Sequence, residues 1–69
     1  MRPNGTAIRA IREAQNMSLR ALQQKTGLDR GYLSRMERGH IQEPADTPLQ
    51  QVAAALRVTT DAITHKEKT

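Results

Sequence analysis

The chain of 69 residues contains no cysteine, tryptophan or phenylalanine, and its one aromatic residue is Tyr32. The absence of cysteine excludes disulfide bonds, thiolate metal sites and cysteine nucleophiles. Because aromatic side chains are almost missing, a hydrophobic core has to be built from aliphatic side chains and methionine. No apolar run approaches the ~20 residues that span a bilayer, and the first residues do not resemble a signal peptide. We therefore expect a small soluble protein in the cytoplasm that does not interact with a membrane.

Residue patterns that support catalysis or metal binding are also missing. His40 and His65 lie far apart in the sequence, and no His-x-x-His, His-Glu-x-x-His or calcium-loop spacing is present. Ser18 and Ser34 have no histidine near them in the sequence that could act as a base. No Gly-Lys-Ser/Thr sequence follows a glycine, so a phosphate-binding loop is not indicated. We expect no enzymatic activity, no cofactor, no metal and no small-molecule ligand.

The charge of the chain is distributed unevenly. Residues 1–39 contain eight Lys and Arg against three Asp and Glu, a net charge of +5, whereas residues 40–69 contain three against four, a net charge of −1. A basic N-terminal portion is typical of a surface that binds a polyanion. A solvated surface that happens to be basic would have the same composition, so charge alone leaves both interpretations open.

Apolar residues recur at helical spacing and never alternate with period two, which predicts an all-α fold. At this length the chain is expected to form one domain over residues 1–69. Residues that commonly begin or end helices divide it into five helices. These helices are expected at about Thr6–Asn16, Ser18–Thr26, Asp29–Arg38, Thr47–Leu56 and Thr59–Ile63, before a frayed tail at about residues 65–69.

The helix ends are predicted from the residues that cap them. Ser18, Asp29, Thr47 and Thr59 have the oxygen-bearing side chains that accept from free N–H groups at a helix start, and Asn4 or Thr6 can do so for the first helix. Pro48 suits the first helical position, where no N–H is needed. Gly27 and Gly39 suit the left-handed residue after a helix end. The core should comprise Ile8, Ile11, Leu19, Leu22, Leu28, Leu33, Met36, Leu49, Val52, Leu56, Val58 and Ile63.

The third predicted helix has one strongly basic face. At 100° per residue, Leu33 and Met36 form a narrow apolar stripe, while the opposite arc contains Arg30, Gly31, Ser34, Arg35 and Arg38. Arginine can bind O6 and N7 of guanine in the major groove, and it also binds phosphate. A solvated basic face would show the same pattern, and for this helix taken alone that interpretation is favoured.

The arrangement before this helix changes the interpretation. Two short helices, Ser18–Thr26 and Asp29–Arg38, are joined by a tight turn that contains Gly27. This order is typical of a helix-turn-helix unit, here residues 18–38, whose second helix enters the major groove. The cap at Ser18 also leaves backbone N–H groups free at a helix start, where a phosphate can bind.

The same segments resemble a known family. The segments that carry the resemblance are Ile8–Glu13, Met17–Leu22, Thr26–Gly39, Leu49–Leu56 and Val58–Ile63. In order and spacing they resemble the Cro/C1-type (Xre) family, which includes the lambdoid phage repressors. The resemblance covers the chain from about Ile8 to Ile63. It implies a lambda-repressor-like fold of five helices and a sequence-specific regulator, a repressor by analogy, that binds double-stranded DNA.

The resemblance also implies roles for individual residues. Base contacts would come from Arg30, Gly31, Ser34 and Arg35. Phosphate contacts would come from Ser18, Leu19, Arg20, Tyr32, Arg38 and His40. An ion pair between Arg12 and Glu37 would link the first and third helices, and their positions beside the predicted core support this.

Members of such families commonly act as dimers, so a homodimer on an inverted-repeat operator is expected, with Val58 and Ile63 as candidates for its interface. In a bacterium the protein would then associate with the nucleoid. The alternative is a protein-interaction module such as an antitoxin or a coactivator-like bridge.

Two features depart from the family pattern: Gly31 replaces a residue with a side chain, and the loop His40–Asp46 is acidic. Gly31 either allows a close approach to DNA or is merely tolerated.

Overall fold

The computed structural model describes residues 2–41 and 46–65. A short strand, β1 (Arg2–Pro3), precedes the helices α1 (Gly5–Ala14), α2 (Leu19–Thr26), α3 (Arg30–Glu37) and α4 (Asp46–Leu56). A single 3₁₀ turn at Thr60–Ile63 and a second strand, β2 (Thr64–His65), complete the described part. The four long helices were expected, but the prediction of five helices in an all-α fold is wrong in two respects.

The first error concerns the fifth helix, which is a 3₁₀ turn of four residues. So short a segment closes with i-to-i+3 hydrogen bonds, because an α-helix fixes several residues before its first bond forms. Ala62 N donates to Thr59 O at 3.1 Å, while the predicted cap, the Thr59 side chain, makes no capping hydrogen bond.

The second error concerns the two ends of the described chain, which form an antiparallel pair of strands. Arg2 is opposite His65 and Pro3 is opposite Thr64, and Asn4 N donates to Ile63 O at 2.8 Å. Two-residue strands are too short to show a period in the sequence. Of the tail predicted to fray at about residues 65–69, His65 pairs with Arg2 and residues 66–69 lie outside the described part.

Most of the predicted caps are present. Asn4 Oδ1, Ser18 Oγ and Asp29 Oδ2 accept hydrogen bonds from the backbone N–H three residues later, at 3.1, 3.0 and 3.2 Å. Gly27 and Gly39 have φ values of +75° and +79°, in the left-handed region that glycine adopts without steric cost.

The bounds of α1 and α4 differ most from the prediction. Helix α1 begins at Gly5, one residue before the expected start, and ends at Ala14, two residues before Asn16. Helix α4 begins at Asp46, so Thr47 lies within its first turn and is not the cap. A carboxylate is favoured in the first turn of a helix, and Pro48 still lies where no backbone N–H is required.

One aliphatic core holds these elements together. The buried hydrophobic residues of the described part are Ile8, Leu22, Leu33, Met36, Leu49, Val52, Ala53, Leu56 and Ile63. Four further residues of the predicted core, Ile11, Leu19, Leu28 and Val58, are partly buried and pack against it. The predicted core is confirmed, with these four at its edge. No helix within residues 2–41 and 46–65 combines the length and apolar character needed to cross a membrane.

Gly5 lies at an unusually close contact between α1 and α3. A β carbon at this position would collide with the backbone carbonyl oxygens of Met36 and Glu37. The positive end of the α1 dipole therefore abuts the negative end of α3, an arrangement that is electrostatically favourable. Since only glycine permits this approach, Gly5 determines how closely α1 packs on the C-terminal end of α3.

Candidate nucleic-acid interface

Helices α2 and α3 are joined by a short turn whose hydrogen bonds fix its shape. Thr26 Oγ1 donates to Leu22 O at 2.8 Å and accepts from Leu28 N at 3.1 Å. Gly27 then reverses the chain in the left-handed conformation, and Leu28 packs against the core. Asp29 begins α3 by capping the N–H of Tyr32. The two helices thus form a helix-turn-helix unit with a defined turn.

The outer face of α3 contains the residues predicted to contact bases. Arg30, Gly31 and Arg35 are exposed, and Ser34 is half-buried. Leu33 and Met36 are buried on the opposite side, where they attach α3 to the core. The structure therefore brings all four predicted base-contacting residues onto one surface.

No arginine of this surface lies at ion-pair distance from a carboxylate within residues 2–41 and 46–65. The ion pairs found there join Arg9 to Glu13 and Arg12 to Glu37. Arg30 and Arg35 on α3, and Arg38 directly after it, are exposed and lie outside these pairs. A surface with three exposed cations in one helical segment attracts a polyanion.

The start of α2 provides a second element of the interface. Ser18 Oγ caps Ala21 N, and the first i-to-i−4 hydrogen bond joins Leu22 N to Ser18 O at 3.0 Å. The N–H groups of Leu19 and Arg20 precede that bond and therefore lie at the free end of the helix. The Leu19 side chain packs against the core, so this residue can offer only its N–H to a phosphate. The Arg20 side chain is exposed.

The remaining predicted phosphate contacts lie near both ends of α3. Tyr32 is half-buried and packs against the core, while its N–H is occupied by Asp29. His40 is exposed, and its N–H donates to Arg35 O at 2.9 Å. Residues 42–45 of the predicted loop lie outside the described part.

Arg12 and Glu37 form the ion pair that the resemblance implied. Arg12 Nε lies 2.7 Å from Glu37 Oε2, and Arg12 Nη2 lies 3.0 Å from Glu37 Oε1, so the pair is bidentate. Arg12 Nη1 also donates to Met17 O at 2.7 Å. The two side chains are only 12% and 6% exposed. One guanidinium therefore connects α1, the end of α3 and the segment just before α2.

The pKa of Arg12 is raised above its ordinary value, chiefly by the hydrogen bond to Glu37. Burial lowers this pKa, and the negative charges of Glu37 and Glu13 raise it. A raised pKa means that Arg12 stabilises the fold at every pH below its ordinary pKa. This stabilisation is lost only as the pH rises through the folded-state value, so Arg12 remains charged at any pH at which the protein is used.

Two residues that make long-range structural contacts were missed from the sequence. Gly5 makes its contact with residues more than thirty positions away, and no local pattern indicates this. Gln15 Nε2 donates to Leu56 O at 2.7 Å and so connects the C-terminal ends of α1 and α4. In the described part, no cluster of three His, Cys, Asp or Glu side chains could hold a metal ion.

This geometry agrees with comparisons to known proteins. A family model described as helix-turn-helix matches residues 8–63 of the chain. The chain belongs to the Xre-type helix-turn-helix family of DNA-binding transcriptional regulators. It is 39% identical over 59 residues to an uncharacterized HTH-type transcriptional regulator of Mycobacterium tuberculosis. That match covers 86% of this chain and 41% of the relative, so the chain spans about two fifths of the length of the curated relatives it matches.

Solved structures show the same fold. The biofilm master regulator SinR in complex with DNA superimposes with a TM-score of 0.76 at 34% identity, covering 81% of this chain and 89% of that one. The N-terminal DNA-binding domain of SinR from Bacillus subtilis gives 0.78 at 30% identity, with 91% of both chains covered. The restriction-modification controller protein C.AhdI from Aeromonas hydrophila gives 0.77 at 29% identity, with 84% and 86% covered.

Proposed function

We propose that this chain is a sequence-specific double-stranded DNA-binding domain of a transcriptional repressor, and that it inserts α3 into the major groove. The observation that carries the proposal is the exposed face of α3 with Arg30 and Arg35, which is presented by a capped helix-turn-helix unit. That SinR, a structural neighbour, has been solved in complex with DNA supports the same interpretation.

The position of each arginine along α3 suggests its target. Arg30 lies in the first turn and Arg35 in the middle of the exposed face, so both reach base edges if α3 enters the groove with its N-terminus first. Arg38 is the C-terminal cap residue, where the helix leaves the groove, and phosphate is its expected target. Ser34 and Gly31 complete the surface that would face the bases.

Phosphate contacts would flank this surface on two sides. On one side, the free N–H groups of Leu19 and Arg20, the Ser18 hydroxyl and the Arg20 guanidinium suit a phosphate oxygen. On the other side lie Arg38 and His40, and Tyr32 would contribute its hydroxyl.

We further propose that the repressor binds as a homodimer. Of the two apolar candidates for the interface, Ile63 is fully buried in the core, whereas Val58 is only partly buried. The interface is therefore expected around Val58, not at Ile63. A two-fold dimer requires an inverted-repeat operator with half-sites about 10–10.5 base pairs apart, centre to centre, or a multiple of this.

Repression is the simplest outcome of this geometry, because an operator-bound dimer can exclude polymerase with no contact beyond those to DNA. The proposed role requires neither catalysis nor a cofactor. It implies a cytoplasmic protein, which would associate with the nucleoid if the cell is bacterial.

Selection of bound duplexes from a random-sequence pool, followed by mobility-shift titration at low and high salt, tests the proposal. The expected result is one enriched inverted repeat whose affinity falls steeply with salt. Footprints of a single unrepeated half-site at saturation would exclude the dimer. Equal affinity for all duplexes, together with stoichiometric binding to a purified protein partner, would favour a protein-interaction module of the antitoxin or coactivator-bridge kind.

A further inference from the structure

The beginning of α3 brings an arginine close to the one position of the helix that has no side chain. Long side chains of a helix lean toward its N-terminus, so Arg35 is expected to lie over Gly31, four residues earlier. A β carbon placed on Gly31 would lie 3.6 Å from Arg35 Nη1. The Arg35 guanidinium therefore lies over the bare backbone of Gly31.

The carboxylate of Asp29 reaches the same place from the other side. A β carbon on Gly31 would lie 2.9 Å from Asp29 Oδ2, closer than real β carbons approach other atoms. The separation between Asp29 Oδ2 and Arg35 Nη1 is then at most ~6.5 Å, the sum of 2.9 and 3.6 Å, a range over which opposite charges on a protein surface attract each other. The gap between the two side chains is open only because residue 31 is glycine.

Capping alone does not explain this combination of residues. Asp29 accepts from Tyr32 N at 3.2 Å, but serine caps as well as aspartate does, and Ser18 performs that task in α2. A carboxylate on a face that approaches DNA is repelled by the phosphates. A glycine inside a helix costs about 1 kcal/mol relative to alanine. The carboxylate at residue 29 and the glycine at residue 31 are both explained if the charge of Asp29 acts on Arg35 across the gap at Gly31.

We propose that Asp29 is a positioning residue, whose carboxylate acts across the gap at Gly31 and holds the Arg35 guanidinium in the orientation that reads one guanine. This inference rests on the proposed DNA-binding function. A long side chain that is oriented before binding loses less entropy on binding. The effect of Asp29 is therefore confined to the base pair that Arg35 reads.

The test compares the sequence preferences of purified variants of the 69-residue chain with those of the unchanged chain. Arg35→Ala first identifies the base pair at which preference depends on Arg35. Asp29→Asn keeps a capping oxygen and removes the charge, whereas Glu13→Gln removes one exposed carboxylate from α1, outside the helix-turn-helix unit. Asp29→Asn should lower the preference for guanine at that base pair by roughly two- to tenfold. Glu13→Gln should leave every preference unchanged.

Side-chain NMR of the free protein gives a second measurement. If Asp29 acted only as a helix cap, Asp29→Asn would not change the mobility of the Arg35 side chain. The Arg35 Nε–Hε group should have a higher order parameter than that of Arg30, and Asp29→Asn should abolish the difference. The inference is overturned if Arg35 is as mobile as Arg30 in the wild type, or if Asp29→Asn selects the same sequences as the wild type. It is also overturned if Asp29→Asn and Glu13→Gln alter selection equally. If the wild type selects no particular DNA sequence, the proposed function is refuted instead. The NMR comparison would then still decide whether Asp29 positions Arg35.

Discussion

Replacing Arg12 with methionine removes the guanidinium that pairs with Glu37 but keeps a side chain of similar reach. The Glu37 side chain is only 6% exposed, so the variant leaves a nearly buried carboxylate without its cation. The hydrogen bond from Arg12 Nη1 to Met17 O is lost as well. Breaking a fully buried pair costs about 3–5 kcal/mol, and an exposed pair contributes at most about 1 kcal/mol.

Arg12 is 12% exposed, which places this pair between the two limits and nearer to the buried one. We therefore expect Arg12→Met to lower the free energy of unfolding by about 2–4 kcal/mol. Domains have only about 5–15 kcal/mol of stability in total, so the variant should be markedly less stable. Glu37→Met should behave similarly, because it leaves the guanidinium unpaired.

Urea unfolding of both single variants and of the double variant measures the coupling. The double variant should be more stable than the sum of the single effects predicts, because neither charge is then left alone. Arg9→Met is the matched control: the Arg9–Glu13 pair is 3.6 Å apart and its side chains are 63% and 57% exposed, so the change should cost no more than about 0.5 kcal/mol. A coupling energy of zero, or equal effects of Arg9→Met and Arg12→Met, would refute the reasoning.

Four further substitutions test the core, the close contact and the interface. Leu56→Ala should destabilise the domain by about 2–5 kcal/mol in urea titrations, because Leu56 is fully buried; an unchanged midpoint would contradict this core. Gly5→Ala should destabilise the domain by more than about 1 kcal/mol, because the alanine β carbon would collide with the backbone of α3. Alanine favours helices, so without this contact the variant would be more stable than the wild type. A gain in stability would therefore contradict the contact. Arg35→Ala should cost about 1–3 kcal/mol of operator affinity and relax the base preference at one operator position. Arg38→Ala should weaken binding to all sequences and reduce the slope of log affinity against log salt concentration by about one. Equal, sequence-independent losses of affinity in both variants would indicate only non-specific attraction.

The helix-turn-helix unit could be predicted because its signals are local. Ser18 and Asp29 each cap an N–H three residues away, and Gly27 adopts the left-handed conformation next to the helix that it ends. The apolar stripes are likewise determined within one or two turns. Caps and stripes together place α2 and α3, and with them the exposed arginine face.

The structural features that could not be predicted from the sequence depend on contacts between residues that are distant along the chain. The β1–β2 pair joins the two ends of the described part, and the hydrogen bond from Asn4 to Ile63 has no local signal. Gly5 is ordinary as a helix residue and becomes necessary only because α3 ends against it. Such features follow from tertiary packing, which composition and period do not specify.

Helix α3, the proposed recognition helix, depends on these distant contacts for its position. Helix α3 has only eight residues, and an isolated helix of that length is not stable in water. Leu33 and Met36 fix its inner face in the core, while the contact with Gly5 and the ion pair with Arg12 fix its C-terminal end against α1. Because base readout requires accurate placement of side chains, loss of either α1 contact should weaken operator binding, although neither residue is expected to touch DNA. The proposed DNA-binding surface therefore depends on α1, which holds α3 in place.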